Sequence, residues 1–131
     1  MKVLGNHLLV EAKKCNASLL NDLSYIKSIM TSAAEISGAT IIGKNFNKFS
    51  PLGVTGILAI AESHISIHTW PEYNYAAIDI FSCGTTFKPH RAVKFLIEKL
   101  ESEDFEIKEI KRGINNTNNL ETNINSYYNE Q

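Results

Sequence analysis

The chain predicts an α+β two-layer sandwich, a mainly antiparallel sheet with two helices covering one face. Three observations carry that expectation. The predicted elements run strand, helix, several strands, helix, strand. The strand candidates alternate apolar and polar residues, the mark of a sheet with two unlike faces. Both helix candidates carry an apolar stripe on one side only.

Each element has its own local reason. Val3 to Ala12 alternates loosely and predicts a first strand. Asn16 is a capping residue, and Leu19, Leu23, Ile26, Met30 and Ala33 follow three or four apart, predicting one helix that Gly38 ends. Ala39 to Phe49 opens with β-branched residues and predicts a second strand, closed by the turn residues Pro51-Leu52-Gly53. Val54 to Ala61 predicts a buried strand. His64 to Thr69 sets His64, Ser66 and His68 against Ile65 and Ile67 on the other side. Pro71 to Asn74 is turn material, and Ala76 to Cys83 alternates again. Pro89 suits the first turn of a second helix, whose apolar face is Val93, Leu96, Ile97 and Leu100. Phe105 to Ile110 predicts a last strand. Residues 1–113 make one domain, and the asparagine-rich segment 114–131 predicts a flexible tail with no chemistry.

Composition narrows the function classes. The chain has 131 residues, enough for a single core. Its net charge of −1 gives no bulk electrostatic case for nucleic acid or an anionic membrane. The apolar run Gly56 to Ala61 is too short to span a bilayer. The N-terminus lacks a secretory apolar region, so a cytoplasmic protein is expected. Cys15 and Cys83 form no metal-type pair and no disulfide framework, and no metal site is expected.

The densest chemistry lies in Glu62-Ser63-His64-Ile65-Ser66-Ile67-His68-Thr69-Trp70-Pro71-Glu72-Tyr73, with Cys83-Gly84 farther along. A serine hydroxyl is a poor nucleophile unless geometry or a base activates it, so an isolated Ser63 would be ordinary strand-edge filler. An imidazole ordinarily titrates near neutral pH, so His68 suits a base, with a hydrogen-bonded sheet histidine as the plain alternative. His64 and His7 read better as structural. Cys83 is a proton donor if it stays neutral, or else a small buried residue, as Cys15 is. Glu72 is either a solvated loop carboxylate or an acceptor for paired hydroxyls. Phe49 offers a ring for stacking or for core packing. Tyr73 and Tyr75 read as packing or interface residues.

Glu62 to Glu72 and Ala76-Ala77-Ile78-Asp79-Ile80-Phe81-Ser82-Cys83-Gly84 resemble the self-processing segments of the prokaryotic S-adenosylmethionine decarboxylases. The resemblance covers most of residues 3 to 100. It implies cleavage between Glu62 and Ser63, giving fragments 1–62 and 63–131. Ser63 would attack the Glu62 carbonyl and turn the peptide bond into an ester. Loss of the Ser63 α-proton and β-elimination would then release the upstream chain, and hydrolysis would leave a pyruvoyl group and ammonia.

By the same resemblance, His68 is the processing base and Cys83 the proton donor in turnover. Phe49 and Glu72 match adenine-stacking and ribose-binding positions. Thr55 replaces a usual serine whose hydroxyl assists processing, and Asn74 replaces a usual glycine. The implied substrate is S-adenosylmethionine, which condenses with the pyruvoyl ketone and leaves as an aminopropyl donor for polyamine synthesis. The implied assembly is a homodimer with two of each fragment and active sites near the interface. Two rivals stand: arginine decarboxylation on the same scaffold, and an unprocessed regulatory paralogue. Strand parity sets Ser63 opposite His68, so the resemblance requires a bend at Ser63 before the regular strand begins.

Overall fold

In the computed structural model residues 3–114 are described. Six strands form one antiparallel sheet: β1 (Val3–Lys13), β2 (Ile41–Lys48), β3 (Val54–Ile60), β4 (Ser63–Trp70), β5 (Tyr75–Ser82) and β6 (Asp104–Ile114), in the spatial order β2-β3-β4-β5-β1-β6. The helices are α1 (Ala17–Leu20), α2 (Leu23–Ile36) and α3 (Pro89–Lys99). A 3-10 turn, Pro71–Tyr73, joins β4 to β5. The two-layer α+β expectation holds. The tail expectation lies outside the described residues except at Ile114, which belongs to β6 rather than to the tail.

The core is the layer between helices and sheet. Leu8, Val10, Ile65, Ile67, Ile78 and Ile80 point from the strands toward Ile26, Met30 and Leu96, and all are buried. These are the alternate residues of each strand, so the pleat alone sends their neighbours to the other side. That second side has no helix over it among the described residues. It carries His7, His64, Ser66, His68, Asp79 and, partly exposed, Leu9, Ile57 and Trp70.

Where one helix was expected after Asn16, there are two. Asn16 Oδ1 accepts from the Leu19 amide at 3.2 Å and caps α1. Asp22 Oδ1 accepts from the Tyr25 amide at 3.0 Å and starts α2 afresh. The apolar spacing runs straight through the break, so periodicity does not reveal it, while the Asn21-Asp22 pair supplies the cap and the turn. Asn21 Oδ1 also accepts from the Gly53 amide at 2.9 Å, which ties the break to the loop between β2 and β3. Gly53 has φ of 112°, a conformation that a side chain rarely tolerates. The second strand begins two residues later than expected and ends one earlier.

Gly56 is a close approach. The Phe46 ring lies across it, and a Cβ there would sit 2.3 Å from Phe46 Cε1. Asn74 closes the 3-10 turn with φ of 52°, the left-handed geometry expected of asparagine. Its side-chain amide donates to the Cys15 carbonyl at 2.9 Å.

Candidate active site

Ala61 and Glu62 form a two-residue hairpin turn, since Ile60 and Ser63 are register partners on either side. The turn is held from outside. The Ala61 amide donates to the Thr40 carbonyl at 2.8 Å, and Glu62 Oε1 accepts from the Thr40 amide at 3.1 Å. Ser63 then enters β4 with φ of 153°, whereas the other non-glycine residues of positive φ lie between 52° and 57°. A conformation that only glycine adopts freely costs of order 1–3 kcal/mol and persists only where the surroundings impose it. Ser63 is nevertheless paired as the first residue of β4, so its irregular φ lies within the strand and not in a bend before it.

Cys83 closes the other side of the turn, because Ser63 pairs with Ser82 across β4 and β5. The Glu62 carbonyl oxygen accepts two hydrogen bonds from this one residue, the Cys83 amide at 3.0 Å and its Sγ–H at 3.1 Å. Two donors therefore aim at the carbonyl of the peptide bond that precedes Ser63. That is the geometry that stabilises charge on an oxygen when its carbon is attacked. Cys83 is exposed and unpaired with Cys15, which is buried. Burial pushes the Cys15 thiol pKa up, and it stays a packing residue.

Thr55 and His68 lie at the other end of the hairpin. They are register partners, and Thr55 Oγ1 is 3.1 Å from His68 Nδ1. Trp70 follows on the same face, its ring 6.4 Å from that of His68 and stacked at 5.4 Å on Tyr75. The Tyr75 hydroxyl donates to Glu11. Burial first, and then Glu11, push the Tyr75 pKa up to about 12. A cavity of about 390 Å³ beside His68 is lined by residues that include Leu9, Glu11, Ala77, Asp79 and Lys108. Phe49 is 53% exposed in the loop between β2 and β3, so it is not a core residue. Glu72 sits exposed in the 3-10 turn, at a shallow groove with Leu52, Pro71 and Asn21.

The predicted residues thus fall into two groups. Glu62, Ser63 and Cys83 meet at the turn end of the hairpin, while Thr55 and His68 meet at the open end, the end from which Phe49 and Glu72 also project. His68 lies five residues beyond Ser63 on one strand, roughly 17 Å at the usual rise. Within one chain the expected base does not reach the expected serine.

A family profile for S-adenosylmethionine decarboxylase matches residues 6–113. The chain belongs to that family. A protein named S-adenosylmethionine decarboxylase proenzyme from Thermodesulfovibrio yellowstonii is 51% identical over 114 residues, 87% of this chain and 84% of that one. One of the same name from Clostridium tetani is 46% identical over 87% of this chain and 90% of its own. The crystal structure of the adenosylmethionine decarboxylase from Aquifex aeolicus superposes with a TM-score of 0.82 at 33% identity, covering 87% of this chain and 94% of that one.

Two features of this family member escape sequence reading. One is the Cys83 amide as a partner of Glu62, which depends on a pairing between strands. The other is a cluster on the open face, where Asp79 takes hydrogen bonds from Ser66, His64 and His7. Burial pushes the Asp79 pKa up, but those three bonds outweigh it and hold the carboxyl below the usual aspartate range. Alternation put His64 and Ser66 on one face, but nothing in the sequence sets β1 beside β5. Among the described residues, no helix is long and apolar enough to cross a membrane.

Proposed function

We propose that this chain cleaves itself between Glu62 and Ser63, makes a pyruvoyl group from Ser63, and decarboxylates S-adenosylmethionine as a dimer. The observation that carries the reading is the Glu62 carbonyl, held by both donors of Cys83 next to a serine fixed at φ of 153°. The residues present fit the group, because an acyl shift needs a carbonyl with donors on its oxygen and a hydroxyl on the residue that follows.

Ser63 Oγ attacks the Glu62 carbonyl carbon. Charge builds on the carbonyl oxygen, where the Cys83 amide and thiol already donate. The C–N bond breaks, the hydroxyl proton ends on the Ser63 nitrogen, and an ester remains. A base then takes the Ser63 α-proton and the ester leaves as the Glu62 carboxylate. Thr55 steadies the His68 imidazole for that task, and the ring is exposed.

The pyruvoyl group, once formed, supplies an electron-accepting carbonyl for the breaking carbon–carboxylate bond. Departure of the Glu62 carbonyl frees the Cys83 thiol, whose Sγ proton is then available to the substrate α-carbon. Phe49 presents an exposed ring to adenine and Glu72 two acceptor oxygens to the ribose hydroxyls. The product donates aminopropyl groups in polyamine synthesis. A reducing cytoplasm suits the free Cys83.

The roughly 17 Å between Ser63 and His68 supports a second copy as the source of the base. The helix-free face carries Leu9, Ile57 and Trp70, 37%, 44% and 39% exposed. Two such faces packed about a two-fold axis would set the His68 end of one copy over the Ser63 end of the other. Each site would then take Ser63 and Cys83 from one copy and Thr55, His68, Phe49 and Glu72 from its partner.

Intact-mass measurement should find fragments 1–62 and 63–131, with the second carrying a ketone that reacts with hydroxylamine. Labelled S-adenosylmethionine should release carbon dioxide and labelled arginine should not. A chain that stays whole yet turns over refutes the mechanism. Preferential turnover of arginine refutes the substrate, and a whole chain with neither activity points to the regulatory alternative.

A further inference from the structure

Three side chains outside the proposed processing and turnover machinery converge on the open sheet face. β5 lies between β4 and β1, so His64 and His7 approach it from opposite sides, and both are register partners of Phe81. Two residues along β5, Asp79 receives both imidazoles on one oxygen. His7 Nε2 is 3.1 Å and His64 Nε2 2.7 Å from Asp79 Oδ1. The other oxygen, Oδ2, accepts from Ser66 Oγ at 2.5 Å. One ligand atom from each of His7, His64 and Asp79 lies within 4.8 Å of the other two.

We infer that His7, His64 and Asp79 bind a first-row divalent cation of the zinc type. Two imidazole nitrogens and one carboxylate oxygen, with water in the remaining position, are a donor set that such ions take. A tetrahedral ion with bonds of about 2.0–2.1 Å holds its ligand atoms about 3.3 Å apart. The two nitrogens now lie 3.1 and 2.7 Å from Oδ1, and all three ligand atoms lie within 4.8 Å of one another, so side-chain rotation is enough to approach that spacing. The Ser66 hydroxyl fixes the carboxylate so that Oδ1 faces both rings, the part outer partners play around metal ligands. In a single copy the three side chains are 20%, 33% and 29% exposed, so an ion can enter before two such faces pack together. One feature opposes it. Arg112 places Nη1 3.5 Å from His7 Nδ1 and its guanidinium 4.6 Å from the centre of the Phe81 ring. That fixed positive charge weakens cation binding without blocking the ligands.

The inference does not rest on the decarboxylase reading, because its readout is binding. Purified full-length protein, stripped with a chelator, is titrated with cobalt(II) while the visible bands of low-coordinate cobalt are followed. Zinc binding is measured by calorimetry. One ion per chain is expected. Ser66→Ala should weaken binding by about 10- to 100-fold, and His64→Asn and Asp79→Asn by more. Arg112→Ala should strengthen it. His90→Asn removes an exposed imidazole 3.6 Å from Glu109 and should leave it unchanged. Failure of the wild-type chain to bind either ion stoichiometrically overturns the site. So does binding that persists unchanged in both His64→Asn and Asp79→Asn.

Discussion

Co-expression of two inactive variants tests the divided site directly. On the proposed mechanism Ser63→Ala would lack the nucleophile and His68→Ala the base, so neither should cleave alone. Proton transfer needs the two heavy atoms within about 3 Å, or one bridging water. Five residues of extended strand put His68 roughly 17 Å from Ser63 in its own chain. No side-chain rotation closes that gap. In the proposed mixed dimer, however, the Ser63 of the His68→Ala chain would face the intact His68 of its partner. With equal expression and random pairing about half of all His68→Ala chains have such a partner, because a two-fold interface joins either kind of copy equally well. About half of the His68→Ala chains should therefore cleave and none of the Ser63→Ala chains. Intact-mass measurement on differently tagged chains reads both fractions at once. If the His68→Ala chain stays whole in the mixture, the shared site is wrong. If it cleaves normally by itself, His68 is not the base.

Cys83→Ala removes one of two donors to the Glu62 oxygen and leaves the amide, so cleavage should slow by about 10²-fold without stopping. Its matured fraction should turn over poorly, and normal turnover would assign Cys83 to packing. Gly56→Ala drives a Cβ to 2.3 Å from the Phe46 ring and should destabilise the fold by about 1–3 kcal/mol in denaturant unfolding. Asp22→Ala removes the cap of α2 and should cost about 1 kcal/mol in the same assay. Tyr75 has a raised folded pKa, so its contribution is complete below the ordinary tyrosine value near 10 and is lost as pH climbs through about 12. Tyr75→Phe should flatten that alkaline loss in pH-dependent melting.

What the sequence disclosed depended on range. The faces of β4 and β5 were legible because one side of each had to be apolar and the pleat has a period of two. The helix break was not, since Leu19, Leu23 and Ile26 keep helical spacing across Asn21-Asp22. The resemblance called for a bend before the strand; Ser63 instead enters β4 as its first paired residue with an irregular φ, and what holds that turn is remote in sequence. Cys83 and Thr40 hold the turn only after β5 and β2 have docked. The Asp79 cluster was hidden for the same reason, because it needs β1 placed beside β5. The gap between Ser63 and His68, by contrast, follows from counting strand residues, and the sequence already contained it.

The strand order has one more consequence. A cut at Glu62–Ser63 would leave β1, β2 and β3 on one polypeptide and β4, β5 and β6 on the other. Across the sheet these alternate as two strands of the first, two of the second, then β1 and β6 singly. β1 is clasped between β5 and β6, and β3 lies against β4, so three ladders would join the halves. Pieces interlaced in this way stay together as long as the sheet does. Their reassembly is another matter. The uncut chain folds as a unimolecular event, whereas the nicked one must find its other half by diffusion, at a rate set by concentration. Maturation would act as a ratchet, with the fold reached before the cut and refolding after it dependent on dilution.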